Sequence, residues 1–303
     1  MSELPSISAV HGLAWSATPL PECAEHHGSD HHCLTFFDDT DLTGVPEAVA
    51  AWYGQPLTLD ISSPHPLLAP FSEATEPVVR MHAWPCNRRW IGCGIIRTGT
   101  RDRTVLLLAD RSTQTARTLP AVLSWVERVI AITGWAEGRH QLPPHAVDWT
   151  AVEGRLGTAL PDDYKQIAEV FGCGTFDGYL QISVPDAPLA SFDLVRHAEW
   201  LAEFALGHGA MREPYSIYPA PGGLLEWAGT EQAHQVYWLT EGPDPNRWPI
   251  LTTGDACDKW NRFDGTTGEF IFRMLTEPLQ PFLRAEFQDV PWFTRRSGDT
   301  LLR

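Results

Sequence analysis

Apolar residues in the first half of the chain follow a strand-like pattern three times and then a helical one. The composition of residues 78–84, 90–98 and 104–109 predicts three strands, the last of them apolar on both faces. A helix is predicted over 119–133, because Val122 and the apolar residues that follow it recur at helical spacing. The order β-β-β-α indicates a small α+β unit.

The residues that precede these strands give weaker signals. Residues 46–53 predict a short helix that Gly54 ends, since glycine often follows the last helical residue. Residues 1–45 are rich in Pro, His, Asp and Ser and show no period. We therefore expect an irregular N-terminal segment.

A boundary between two domains is predicted at 142–146, because the pair Pro143-Pro144 interrupts two regions with periodic patterns. It separates an α+β domain over 46–142 from a second domain over 147–303. In the second domain Asp148 is placed to cap a helix that Gly157 ends. The further predicted elements are helices at 161–171, 192–206 and 267–275, a glycine-rich turn at 174–178, and strands at 179–184, 223–227, 235–239 and 248–252.

Composition and charge narrow the classes of function. The apolar fraction of 43%, with 13 Trp and 13 Phe, is enough for a sizeable core and excludes global disorder. The net charge is −16, and residues 147–303 hold 23 acidic against 12 basic residues. Because an acidic surface repels phosphate groups, we expect a basic protein partner and no nucleic acid. The alternative is that the acidity only keeps the protein soluble.

Neither a membrane span nor export is expected. The sequence has no run of about eighteen apolar residues, and its N-terminus lacks the basic segment and apolar run of a secretory signal. Six scattered cysteines do not resemble a disulfide framework, so we expect reduced thiols in the cytoplasm. Cys86 and Cys93 could pair across a hairpin, but two separate buried thiols are favoured. With only two lysines, the composition suggests a bacterial source.

The segment from Cys23 to Cys33 is the strongest candidate for a metal site. Its thiol and imidazole groups are ligands that zinc prefers. The candidate ligands are Cys23, His26, His27, His31, His32 and Cys33. Their spacing fits no standard zinc finger, and paired histidines are common in polar loops. We therefore predict no metal and no other cofactor.

Short motifs follow one another in a recognisable order in the second domain. They are Leu156-Gly157, Leu160-Pro161-x-x-Tyr164, Gly172-x-Gly174-x-Phe176-x-Gly178-x-Leu180, Pro185 and Leu224-x-x-Trp227-Ala228. In this order and spacing, residues 147–280 resemble the SUKH superfamily, which includes the fungal Smi–Knr cell-wall regulators and many bacterial immunity proteins. The sequence departs from the family at Ala228, where glycine is common, and at Ala233-His234, where Gly-Asp is frequent.

The resemblance implies a mixed sheet with flanking helices, preceded here by the smaller α+β domain. The motif residues belong to the scaffold, so Tyr164, Phe171, Phe176 and Trp227 should be buried around the sheet. The resemblance includes no nucleophile or metal motif, and no catalytic residue is predicted. It implies an immunity protein that neutralises a cognate toxin by binding it. A regulatory or scaffold protein of the Smi–Knr type is the alternative, and an enzyme that uses the N-terminal half is a third.

One acidic stretch is the candidate surface for the partner. From Glu226 to Asp258 it holds six acidic residues, which we expect to face water around three predicted strands. An aromatic side chain beside them would supply the anchor that charge alone does not. The candidate contact residues are Tyr237, Glu241, Asp244, Trp248, Asp255 and Asp258. For Trp248, packing at the start of a strand is an equally weighted alternative.

Overall fold

A computed structural model describes most of the chain. The described residues are 7–16, 18–21, 31–38, 44–62, 65–71, 77–111, 119–135, 145–208, 212–254, 256–279 and 290–296. Within these ranges the chain forms seven α-helices and two antiparallel sheets, which confirms the α+β class. The described residues fall into two compact units, the first within 1–115 and 130–143 and the second within 116–129 and 144–302.

A five-stranded antiparallel sheet is the centre of the first unit. Its strands are β1 (His31–Asp38), β2 (Leu57–Thr58), β3 (Val78–Cys86), β4 (Arg89–Thr98) and β5 (Arg101–Asp110), in the order β1-β5-β4-β3-β2. The three strands predicted from the sequence are β3, β4 and β5. They form a meander, because the connections between consecutive strands are only two residues long.

Helices α1 (Ile7–Trp15) and α2 (Gly44–Tyr53) contribute to the core of this unit. Gly54 follows α2 as predicted, and its carbonyl accepts a hydrogen bond from the indole of the buried Trp84 (2.8 Å). Cys86 and Cys93 are both free and buried, so the interpretation as two separate thiols is confirmed. Burial raises the pKa of Cys86 to about 12 and that of Cys93 to about 11.

The expectation that residues 1–45 are irregular is wrong for their described part. Helix α1 buries Val10 and Ala14, which stand four residues apart on one face. Strand β1 pairs with β5, which is far away in the sequence, and the pairing contains a bulge. The buried Arg89 also donates hydrogen bonds to the carbonyls of Leu13 and Thr18. Long-range partners therefore order a segment whose local pattern is weak.

Helix α3 (Trp125–Thr133) begins six residues later than predicted. A capping box sets its start: the Ser124 amide donates to the Glu127 carboxylate (2.7 Å), and the Glu127 amide donates to the Ser124 hydroxyl (3.3 Å). Val122 was expected on the buried face, but it precedes the helix and is 88% exposed. The Ser-x-x-Glu spacing was a visible signal for this boundary.

The second unit is built on a seven-stranded sheet. Its strands are β6 (Gly174–Phe176), β7 (Leu180–Ile182), β8 (Leu224–Thr230), β9 (Gln235–Leu239), β10 (Ile250–Thr253), β11 (Trp260–Phe263) and β12 (Phe293–Arg295), in the order β11-β10-β9-β8-β7-β6-β12. All pairs between these strands are antiparallel, whereas a mixed sheet was expected. Residues 174–176, predicted as part of a turn, form β6.

Helices α4 (Trp149–Leu156), α5 (Asp162–Phe171), α6 (Leu194–His208) and α7 (Thr267–Thr276) complete the second unit. The Asp148 side chain accepts the Ala151 amide at the start of α4, and Gly157 ends that helix in the left-handed conformation, as predicted. None of the helices in the described ranges has the length and apolar character needed to cross a bilayer.

The predicted core of the second unit is confirmed. Tyr164, Phe171, Phe176 and Trp227 have no exposed surface. Trp227 stacks on Trp238, with 5.4 Å between ring centroids, as expected for two core tryptophans. Trp149 is only half-buried, and its indole donates to the Glu169 carboxylate of α5.

Strand β12 was not predicted, yet it completes the core at one edge of the sheet. Phe293 lies 4.9 Å from Phe171 and 4.7 Å from Phe176, measured between ring centroids. Gly174 is required opposite it, because a Cβ there would overlap the Thr294 carbonyl and the Phe293 ring. Nothing near residues 293–295 in the sequence signals this pairing, since it depends on a surface formed by α5 and β6.

Candidate partner-binding surface

Two exposed acidic residues of the stretch predicted as the contact surface have local partners. One guanidinium, that of Arg262, binds Glu241 and Asp264 at 2.7 Å each. Asp244 accepts the backbone amide of Asn246 (3.0 Å) and caps a short turn. These contacts give Glu241 and Asp244 structural roles on the surface.

The other acidic residues of this stretch differ in their surroundings. Asp258 is exposed, and Asp255 lies outside the described residues. Glu226 was expected to face water, but its side chain is only 15% exposed and lies 3.3 Å from the Nε2 atom of His197. It sits on β8, and α6 covers that face of the sheet.

Both aromatic residues proposed as anchors belong to the core. Tyr237 has no exposed surface, and its hydroxyl accepts from Arg212 and donates to Gln235, both at 2.9 Å. Burial, together with the carboxylate of Glu226, raises the pKa of Tyr237 well above its usual range. Trp248 is 5% exposed, so packing is the correct alternative for it. The interpretation of these side chains as contact anchors is wrong, because neighbouring segments cover the strands that hold them.

The candidate metal ligands are only partly described. Cys23, His26 and His27 lie outside the described residues. His31, His32 and Cys33 lie on β1, where consecutive side chains point to opposite faces. Across the residues that the structure describes, no group of three or more His, Cys, Asp or Glu side chains is placed to hold a metal ion.

An open groove lies between the last turns of α6 and residues 215–220, and we call it the α6 groove. Its volume is about 590 Å³. Ala202, Ala205 and Leu206 line the helical side, and Ile217 and Pro219 lie opposite. Leu206 is 90% exposed, so it extends the apolar lining of the groove to the protein surface.

The wall opposite α6 is held in place by many hydrogen bonds. The Tyr218 hydroxyl donates to the Leu156 carbonyl, and the Tyr218 amide donates to the Leu224 carbonyl (3.0 Å). Trp260 packs edge-on against Tyr215, with 5.0 Å between centroids. Gly223 permits the tight fold of this segment, because a Cβ there would lie 2.6 Å from the Tyr218 nitrogen.

An aromatic stack lies along another face of α6, on residues that do not line the groove. The Trp200 ring is 5.2 Å from the Phe204 ring and 5.7 Å from the His197 ring, and both pairs are stacked. Trp200 is 54% exposed. The helix begins at the buried Asp193, whose carboxylate accepts the amides of the next turn. The sequence contains this helical spacing of aromatic residues, but the spacing alone does not tell an exposed face from a buried one.

One carboxylate lines the α6 groove, and two others are exposed on neighbouring segments. Glu203 is the charged residue in the lining, and Glu213 is exposed two residues before Tyr215. Arg212 is directed to the Tyr237 hydroxyl. Glu199 is also exposed on α6, where it binds Arg155 at 2.8 Å. The lining of the groove is therefore apolar apart from Glu203 and the hydroxyl groups of Tyr215, Ser216 and Tyr218.

Comparisons of the chain with models of protein families, with curated proteins and with solved structures found no match. The similarity of residues 147–280 to the SUKH superfamily therefore stays a prediction that rests on the motifs themselves.

Proposed function

We propose that this chain is a non-catalytic binding protein of the bacterial cytoplasm that neutralises a cognate toxin by direct association. The main support is the α6 groove, which has an ordered wall, the exposed Leu206 on its rim and the carboxylate of Glu203 in its lining. Protein partners bind to surfaces of this kind, because apolar anchors supply affinity and complementary charge speeds the encounter.

The motif residues support the proposal in a second way. Tyr164, Phe171, Phe176 and Trp227 fill the core of the second unit, as expected for scaffold positions of a SUKH-like domain. A scaffold of this type leaves partner recognition to exposed side chains. The excess of acidic residues in 147–303 further favours a basic partner.

Co-expression tests the proposal. The product of the adjacent open reading frame is expressed in cells that also make this chain, or that make the core variant Phe171→Ala as an unfolded control. We expect growth to stop without the chain and with the control, and to continue with the wild-type chain. Purified wild-type chain should also bind an inactivated form of that toxin in calorimetry. Growth arrest despite abundant folded chain would contradict the proposal.

A regulatory role of the Smi–Knr type makes a different prediction for the same experiment. The adjacent gene product would not be toxic, and deletion of this chain would alter a cellular process without any toxin. Growth that is unaffected by the adjacent gene product would therefore favour the regulatory alternative.

A further inference from the structure

We propose that the α6 groove binds a segment of the partner in which a large apolar side chain stands next to Arg or Lys. This inference rests on the proposed function, since it names the surface and the partner chemistry of the same binding activity. It moves the interface away from the acidic stretch around Glu241 and Asp244.

The size and lining of the α6 groove fit a large apolar side chain. Its volume of about 590 Å³ lies within the range of about 300–1,000 Å³ that is usual for binding clefts. The alanines at 202 and 205 leave space on the helical side, and Leu206 extends the apolar surface to the rim. An apolar side chain placed here would cover the most exposed leucine of the described residues.

The groove is also preformed. The segment opposite α6 is fixed at both ends: the Trp260 indole donates to the Glu213 carbonyl (3.0 Å), and the Gly223 amide donates to the Ala220 carbonyl (2.8 Å). Tyr218 ties its middle to the end of α4. A wall that is already ordered loses little conformational freedom when a partner binds, which favours affinity.

The carboxylates near the groove indicate which partner residues stand next to the apolar side chain. Glu203 is the charged residue of the lining, on the helical side, and Glu213 is exposed two residues before the opposite wall begins. A basic side chain next to the anchor would meet the Glu203 carboxylate, whereas a phosphate group or an acidic peptide would be repelled. The occupant is therefore a basic protein segment.

Two variants and two matched controls test the inference in the full-length chain. Leu206→Glu places a charge in the groove, and Val122→Glu places the same charge at an equally exposed residue elsewhere in the second unit. Glu203→Lys reverses the charge of the lining, and Glu231→Lys is its exposed control on the loop after β8. Circular dichroism confirms that each variant is folded.

Association and dissociation rates are measured with the inactivated toxin of the adjacent reading frame immobilised on a sensor surface. We expect Leu206→Glu to weaken binding about tenfold or more, as truncation or disruption of an anchor does. Glu203→Lys should slow association several-fold and reduce its salt dependence. The affinity and the association rate of both controls should stay within about twofold of the wild-type values, as for rim and remote substitutions. If the wild type binds and all four variants bind equally well, the inference is wrong and the proposed function stands.

A second probe keeps the inference testable if the wild type does not bind that toxin, which would contradict the proposed function. The blocked tetrapeptides Arg-Leu-Trp-Arg and Glu-Leu-Trp-Glu are titrated into the full chain, and methyl signals of Ala202 and Ala205 are followed by NMR. The basic peptide should shift these signals, and Leu206→Glu should abolish the shift. Equal shifts with both peptides, or none with either, would overturn the inference.

Two other occupants of the groove have distinct signatures. If the chain itself covers the groove, Leu206→Glu alone lowers the melting temperature by several degrees while Val122→Glu does not. If a second copy covers it, the wild type dimerises in light scattering and Leu206→Glu is monomeric. Either result would overturn the proposal of a basic partner segment.

Discussion

Two aromatic clusters of the second unit have similar distances between their rings and different surroundings. Phe171, Phe176 and Phe293 are fully buried, with ring centroids 4.7–5.0 Å apart. On α6, Trp200 stacks on Phe204 at a similar distance but keeps 54% of its surface exposed. The first cluster is enclosed because β12 returns to the sheet edge beside it. An aromatic cluster therefore becomes core or exposed surface according to what covers it, and not according to its own spacing.

The largest expected effect on stability comes from removing one ring of the buried cluster. Phe293→Ala should lower the free energy of unfolding by about 3–5 kcal/mol, because it removes a fully buried ring and leaves a cavity. Trp200→Ala is the matched control on the exposed cluster and should cost about 1 kcal/mol or less. Urea unfolding of the full-length variants measures both. Equal losses would contradict the distinction between the two clusters.

A titration at high pH tests the burial of the first cluster independently. Cys173 lies between the end of α5 and β6, and burial raises its pKa to about 11 from an ordinary value of 9.0. Since the folded-state pKa is the higher one, the contribution of this thiol to stability is complete below about pH 9 and is lost as the pH rises towards 11.

The expected result is a difference between two stability curves. Between pH 8 and pH 11 the wild type should lose about 1–3 kcal/mol more than Cys173→Ala in urea unfolding, because the variant lacks this ionisation. Other buried thiols and tyrosines titrate in both proteins, so the difference between the curves isolates Cys173. Parallel curves would show that the thiol is not buried as described.

The smallest effect is expected on the acidic stretch. Arg262→Ala removes the two ion pairs with Glu241 and Asp264, whose side chains are about half exposed or more. Pairs of this kind contribute little, so the loss should be below about 1 kcal/mol in the same urea assay. A loss above about 2 kcal/mol would show that this stretch is part of the structural core of the unit.

Local signals predicted much of the fold. The Asp148 cap, the terminating glycines and the period of α5 placed the helices of the second unit correctly, because each depends on neighbouring residues. The strands β1 and β12 were missed, since each is stabilised by a partner strand that is remote in the sequence. The start of α3 was predicted too early, although the Ser124–Glu127 capping box marks the correct position.

The candidate surface was harder to predict than the fold. A count of charges selected the stretch from Glu226 to Asp258, but charge counts do not show which acidic side chains already have partners. Glu226 lies beside His197 and Glu241 beside Arg262, while Tyr237 is buried under neighbouring segments. The α6 groove forms only when residues 215–220 fold against α6, so no local pattern reveals it.

Hydrogen exchange of the full chain, with and without the inactivated toxin of the adjacent reading frame, tests the partner surface most directly. We predict that toxin binding protects the backbone amides of 197–206 and 215–220, and leaves those of 241–254 unchanged. Protection confined to 241–254, with unchanged exchange along α6, would contradict the assignment of the α6 groove as the surface that the partner binds.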